Sequence, residues 1–161
     1  MAQYDYFATK KKSGFAEWAA KVNRNYLLKL LQNAGLKSGK HVVEIGLGRA
    51  EFAQLVQSSG YTYSAYEPAH LLAEHARELG ITVYEQFTPP LCEKDETVQA
   101  LVMSHVLEHF PSLEKVDQLF SEVRRVLDRD GLFLVAVPVL PQILPFPSPP
   151  ILGVPFLLAR A

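Results

Sequence analysis

The sequence predicts an α/β fold of the doubly wound type: a mostly parallel, Rossmann-like sheet of about five strands in the order 3-2-1-4-5, with helices on both faces. Two patterns predict the parallel sheet and the helices on its faces. Short apolar runs alternate along the chain with longer segments in which apolar residues recur at helical spacing. Several of these segments end at a glycine, the usual stop for a helix. A chain of 161 residues, 48% of them hydrophobic, is enough for one domain of this kind.

The elements alternate regularly from the first helix onward. That helix is predicted from Phe15 to Asn33, where apolar residues line one face, and Gly35 ends it. The other elements are predicted as strands 41–45, 61–66, 81–86, 98–103 and 132–137, helices 51–59, 68–79 and 113–127, and a proline-containing loop at 88–97. In such a sheet ligands bind beyond the carboxyl ends of the strands, so the residues that follow each strand are candidates for the site.

We expect a single domain over residues 1–161, with an N-terminal arm (1–13), a core (14–138) and a proline-rich apolar tail (139–161). The tail has room for one strand near 151–159, so a C-terminal strand pair would be incomplete. An apolar edge left open on strand five would invite pairing with a second chain. Either the sequence is a truncated or altered version of a longer protein, or the tail covers that edge or docks elsewhere. An oligomer formed through the strand-five edge is a possible partner arrangement.

Composition excludes several classes of partner and location. A net charge of −1 argues against a nucleic-acid surface, since Lys10–Lys12 is the only basic run. Cys92 is the sole cysteine, and no signal peptide is recognisable, so we expect a cytoplasmic protein. Residues 132–159 carry no charge, but seven prolines interrupt them, and we expect no membrane span.

A glycine turn and a distant acid form the first candidate site. Gly46 and Gly48 follow strand one, where the backbone can take a positive φ and a ligand can approach without meeting a Cβ. Glu67 follows strand two, and an acid roughly 20 residues beyond such a turn binds ribose hydroxyls. Glu67 could also cap the helix that begins at Pro68, and the two roles are compatible.

The charge around the turn selects among the ribose-containing cofactors. A dinucleotide fingerprint requires a third glycine where this chain has Glu51, and a carboxylate there would repel a pyrophosphate. S-adenosylmethionine carries no phosphate, which removes the objection. Glu44, just before the turn, could then hold the ammonium of its methionine moiety, directly or through water. The pattern favours S-adenosylmethionine over a nicotinamide cofactor.

Four ordered motifs carry a resemblance to a known family; they are Val42–Gly48, Tyr66–Pro68, Ser104–His109 and Val126–Gly131. Together they resemble the class I S-adenosylmethionine-dependent methyltransferases, most closely the broad type 11/12/23 small-molecule group, over about residues 36–138. The resemblance implies S-adenosylmethionine as cofactor, bound by Glu44, Gly46, Leu47, Gly48, Glu67, Pro68, Phe87 and Ser104.

The chain departs from the family pattern at three places. Ala50 stands where a third glycine is usual, and Gln99 stands where strand four commonly opens with an aspartate. The acid that many members place after strand three is missing, so Gln86 or a stacking Phe87 would replace it.

The segment from His105 to His109 also matches the H-x-x-E-H metal signature. That signature requires a helix, whereas this segment follows a strand and runs directly into Phe110-Pro111, which disfavours one. We therefore expect no metal site; the alternative is a metal held by His105, Glu108 and His109, as in some methyltransferases. The preferred interpretation is that the segment shapes the methionine pocket, with His105 or His109 available as a general base.

The function predicted from these residues is methyl transfer from S-adenosylmethionine to an unidentified small-molecule acceptor by in-line displacement. The first alternative is a catalytically inactive domain that binds the cofactor or a partner. The second alternative is a nicotinamide oxidoreductase or a metal hydrolase. Tyr4, Tyr6 and Phe7 are candidates for an acceptor lid.

Overall fold

The computed structural model describes residues 14–137 and 156–160, with side chains described for residues 21–137 and Ala159. Predictions that fall on residues 1–13 and 138–155, including the aromatic lid, the basic run and most of the tail, lie outside the described residues. Four α-helices and six strands follow one another as α1 Gly14–Asn33, β1 His41–Ile45, α2 Glu51–Ser58, β2 Thr62–Tyr66, α3 His70–Glu78, β3 Thr82–Tyr84, β4 Val98–Ser104, α4 Leu113–Val126, β5 Leu127–Ala136 and β6 Phe156–Arg160.

The strands form one sheet in the order β3-β2-β1-β4-β5-β6. The first five strands are parallel throughout, which confirms the predicted order 3-2-1-4-5. β6 lies antiparallel along β5, with Arg160 opposite Leu132 and Phe156 opposite Ala136. A single strand from the end of the chain therefore covers the edge of β5.

Strand five is longer than its apolar run predicts. The structure begins β5 at Leu127, directly after α4, whereas the sequence predicts a helix to residue 127 and a strand only from residue 132. Val98 pairs with Leu127 and Ala100 with Leu132, so the pairing slips between the two positions. The slip is a bulge that accommodates the polar 128–131 segment, which a period-two pattern cannot reveal.

The two faces of the sheet bury separate apolar cores. Helices α1, α2 and α3 cover one face, and α4 with the 85–97 loop covers the other. The first core is built around Leu31, Val42, Phe52, Val56, Ala76, Val102 and Leu134, and the second around Val43, Met103, Leu119, Val123 and Val126. Helices on both faces are thus confirmed, and the glycine turn lies where β1 meets α2.

The 85–97 segment forms neither helix nor strand, as predicted for most of it. Arg125 on α4 holds it, donating to the carbonyl oxygens of Glu93 at 2.9 Å and Leu91 at 3.0 Å. Glu122 accepts from the Leu91 amide at 2.9 Å and from Arg125. The guanidinium lowers the pKa of Glu122 to about 2, so this clamp stays charged at neutral pH.

None of the helices within residues 14–137 is long and apolar enough to cross a bilayer.

Candidate cofactor site

The carboxyl ends of β1, β2 and β4 meet at Gly46. Its amide donates to the carbonyl of Tyr66 at the end of β2, at 2.9 Å. Its φ of +82° is a conformation that favours glycine, and a Cβ added there would lie 2.3 Å from Cγ2 of Val106, which follows β4. Close packing between two strand ends therefore requires the first glycine of the turn.

Gly48 plays a different role, because its missing Cβ faces open space. Apart from Gly48 itself and its two chain neighbours, no atom of the described residues lies within 4 Å of the position a Cβ would take, and φ is +56°. Its amide donates to Oε2 of Glu67 at 2.9 Å. Two residues later Ala50, at the family's third glycine position, has φ +60° and is fully buried. Although alanine replaces the usual glycine at position 50, the backbone there still adopts the left-handed conformation.

Glu67 joins the end of β2 to the glycine turn. The residue is only 5% exposed, and its Oε1 accepts from the Ala69 amide at 3.0 Å, just before α3. Ala69 is the residue before α3, so Glu67 does not cap an amide of the first helical turn, and the helix begins at His70 and not at Pro68 as the capping alternative expected. These two hydrogen bonds hold both oxygens of the Glu67 carboxylate beside the turn.

Glu44 is buried on the face of the sheet that α1 and α2 cover. It is 4% exposed, and the hydroxyl of Tyr63 donates to its Oε2. No other hydrogen bond reaches its carboxylate among the described residues, which leaves Oε1 buried without a donor. Burial raises the pKa of Glu44 to about 8. The Tyr63 hydrogen bond lowers this pKa, the nearby charge of Glu67 raises it, and the charge of Arg24 lowers it.

An ion pair joins helices α1 and α2 near Glu44. Arg24 of α1 donates to Glu51 at the first turn of α2. Glu51 is the acid whose position excluded a dinucleotide, and the structure gives it a cationic partner. Sequence reasoning missed Arg24 and Tyr63. Tyr63 reaches Glu44 because of the strand register: Ala65 pairs with Glu44, and side chains two apart on a strand share a face.

The remaining predicted cofactor residues occupy varied environments. The Leu47 side chain is buried in the core, so only its backbone is available to a ligand. Pro68 and Ser104 are half-buried at the ends of β2 and β4, whereas Phe87 is 58% exposed. Gln86, the proposed alternative to Phe87, donates to the Pro90 carbonyl at 2.9 Å.

The histidine segment forms a single 3-10 turn, Leu107–His109, and not the α-helix that a zinc hydrolase requires. His105 precedes it in a left-handed conformation with φ +57°, held by a 2.8 Å hydrogen bond from its amide to Ala136. Both His105 and His109 are exposed, and His105 Nδ1 lies 3.9 Å from Glu108. The described residues contain no group of three or more side chains able to hold a metal ion.

A family model described as a methyltransferase domain matches residues 15–145, most of the chain. The chain belongs to this methyltransferase domain family. The class predicted from the four motifs is thereby confirmed. The match covers the glycine turn, Glu67 and the histidine segment together.

A curated relative and several solved structures resemble this methyltransferase domain. C-methyltransferase NovU from Streptomyces niveus is 28% identical over 116 residues, which are 71% of this chain and 28% of that protein. The chain therefore spans little more than a quarter of that relative's length. A protein from Pyrococcus horikoshii superposes with a TM-score of 0.69 at 21% identity, covering 83% of this chain and 66% of that one. A SAM-dependent methyltransferase from Archaeoglobus fulgidus gives 0.64 at 18% identity, covering 73% and 52%.

Proposed function

We propose that this methyltransferase domain binds S-adenosylmethionine at the glycine turn and transfers its methyl group to a small-molecule acceptor. The observation that supports this most is the open face of Gly48, bordered by the buried carboxylate of Glu67. The solved structures that are named SAM-dependent methyltransferases share this fold.

The residues present fit the cofactor in three ways. The open space beside Gly48 admits a ligand against the backbone. Glu67 lies beside that space, bonded to the Gly48 and Ala69 amides, and its carboxylate is an acceptor of the kind that ribose hydroxyls require. The buried Oε1 of Glu44 receives no hydrogen bond among the described residues, and an ammonium would supply the donor that a buried oxygen requires.

The chain contributes chiefly position and exclusion of water. When bound, the sulfonium supplies an already electrophilic methyl group. Glu44 and Glu67 would fix the two ends of the cofactor, with Pro68, Phe87 and Ser104 around it, so that its methyl group points in line at an acceptor. The backbone of Leu47 would complete the turn.

A base is needed only where the acceptor carries a proton, and His105 or His109 could remove it. His105 is the better candidate of the two, because its strained backbone at the end of β4 is typical of functional sites. NovU is named a C-methyltransferase. A carbon acceptor, which must lose a proton to be methylated, is the acceptor class we would test first.

Calorimetric titration with S-adenosylhomocysteine, the demethylated cofactor, tests the binding step. We expect saturable binding at one site per chain. A folded domain that releases no heat with this ligand, and protects no backbone amide near Gly48 from exchange, would contradict the proposal.

Methyl transfer is a separate measurement. The domain is incubated with methyl-labelled S-adenosylmethionine and acidic carbon acceptors, and labelled product is quantified. Binding without transfer to any acceptor would favour the inactive cofactor-binding alternative.

A further inference from the structure

We infer that Tyr63 is a positioning residue of the cofactor site, whose hydroxyl holds one oxygen of the Glu44 carboxylate and so presents the other to the ammonium of the cofactor. The inference rests on the proposed function, since it takes Glu44 as the residue that receives this ammonium. It assigns a role to a side chain on β2 that the glycine motif does not include.

The first step of the argument is the placement of the pair. Tyr63 is 5% exposed and Glu44 is 4% exposed, so both side chains lie away from bulk solvent. The Tyr63 hydroxyl donates a hydrogen bond to Oε2 of Glu44. Tyr63 packs in the apolar core between the sheet and the helices. A carboxylate held at one oxygen has lost most of its rotational freedom, which leaves Oε1 in a fixed place.

The second step concerns the charges that face Glu44. Three residues act on the Glu44 carboxylate. Tyr63 lies on β2, Glu67 follows that strand, and Arg24 lies on α1. Arg24 is itself paired with Glu51 on α2, so its charge is shared. The Tyr63 hydroxyl is therefore the one direct donor to Glu44 among the described residues.

The third step is the effect on protonation. Burial raises the pKa of Glu44 to about 8, and the Tyr63 hydrogen bond acts against that rise. Only the ionised carboxylate attracts an ammonium fully, so cofactor affinity should increase with pH below that pKa. Removing the hydroxyl removes stabilisation of the ionised form, and the increase should move to higher pH.

The test compares S-adenosylhomocysteine binding by wild type and Tyr63→Phe in calorimetric titrations from pH 6 to pH 9. A hydrogen bond to a charged group corresponds to a pKa change of about 1–2 units. Tyr63→Phe should therefore bind S-adenosylhomocysteine at least about tenfold more weakly than wild type at pH 6.5. The difference in affinity between the two proteins should become smaller as the pH rises. Titration of the ligand's own amine affects both proteins alike and cancels in that ratio.

Tyr61→Phe is the matched control. Tyr61 is also buried, and its hydroxyl donates at 3.2 Å to the carbonyl of Leu36. Its removal deletes one buried tyrosine hydrogen bond without touching Glu44. We expect any loss of affinity in Tyr61→Phe to be the same at every pH.

A second measurement does not depend on the Tyr63 variant folding. Titrations of wild type in two buffers of different ionisation enthalpy report the protons released on binding. At pH 6.5 we expect nearly one proton per site from wild type and none from Glu44→Gln. Wild type that binds without releasing a proton would overturn the inference.

The outcomes separate this inference from the proposed function. If wild type does not bind S-adenosylhomocysteine, the proposed function fails. If wild type binds and the ratio of the wild-type affinity to the Tyr63→Phe affinity is constant across the pH range, only the role of Tyr63 fails.

Discussion

The carboxylate of Glu67 accepts a hydrogen bond of 2.9 Å from the backbone amide of Gly48. This contact joins the end of β2 to the turn after β1, across 19 residues of sequence. A second hydrogen bond, from the Ala69 amide, holds the other oxygen. The acid proposed to bind ribose is thus fixed before any ligand arrives, a form of preorganisation that lowers the entropy lost on binding.

Glu67→Gln should weaken S-adenosylhomocysteine binding by about tenfold or more, because a neutral amide replaces charge-assisted acceptors. The amide nitrogen would also face an N–H donor at Gly48 or Ala69, so we expect a small loss of stability. Calorimetric titration measures the affinity. Glu78→Gln, an exposed acid at the end of α3, is the control and should bind as wild type does. Equal affinity of the two variants would remove Glu67 from the site.

The two glycines of the turn should respond differently to alanine. Gly46→Ala should destabilise the fold by about 2 kcal/mol or more, since it adds a clash with Val106 to an unfavourable φ. Gly48→Ala should lower stability by only about 1 kcal/mol, because its Cβ meets no neighbour. It should nevertheless impair cofactor binding.

Urea denaturation and calorimetric titration distinguish these two effects. Combining Val106→Ala with Gly46→Ala should restore part of the lost stability, since the clashing methyl group is removed. A Gly48→Ala variant with normal affinity would show that the open face is not where the cofactor lies.

Glu44 should make stability depend on pH. Its pKa in the folded protein is about 8 against an ordinary value of 4.5, so the folded state binds the proton more tightly than the unfolded state. The resulting stabilisation is complete below about pH 4.5 and is lost as pH rises through about 8. Glu44→Gln, which cannot ionise, should therefore gain roughly 2–4 kcal/mol relative to wild type between pH 5 and pH 8.5.

Chemical denaturation of both proteins at pH 5, 6.5 and 8.5 measures this difference. Other titrating groups contribute to both proteins and largely cancel. A stability difference that does not change with pH would mean that Glu44 keeps an ordinary pKa in the folded state.

His105→Gly should leave stability unchanged or raise it by up to about 1 kcal/mol, because glycine adopts the φ of +57° without strain. Affinity for S-adenosylhomocysteine should stay within about threefold of wild type, while methyl transfer to a protonated acceptor should fall about a hundredfold or more if His105 is the base. His109→Gly, in the adjacent 3-10 turn, is the matched variant and lacks strain to relieve. If His105→Gly is the less stable of the two, strain is not stored at His105.

The local pattern of the sequence determined much of the architecture. Alternating apolar runs and amphipathic segments predicted a parallel sheet with helices on both faces, because each buried strand and each one-sided helix must find a partner surface. The strand order β3-β2-β1-β4-β5 was implied by the family resemblance. The glycine turn and the acid after β2 were also readable, since parallel strands bring their carboxyl ends to one edge. The proline that comes soon after the histidine segment indicated that no regular α-helix forms there, although the 3-10 turn itself was not predicted.

Only the tertiary structure decided which side chains meet at that edge. The Tyr63–Glu44 and Arg24–Glu51 contacts join residues 19 and 27 positions apart. Each depends on strand register or on how α1 docks against α2, and no local periodicity encodes either. The same holds for the bulge in β5 and for β6 along its edge. Such contacts are fixed by packing of the whole domain, and they set the charge and position of the acids that the sequence could only name.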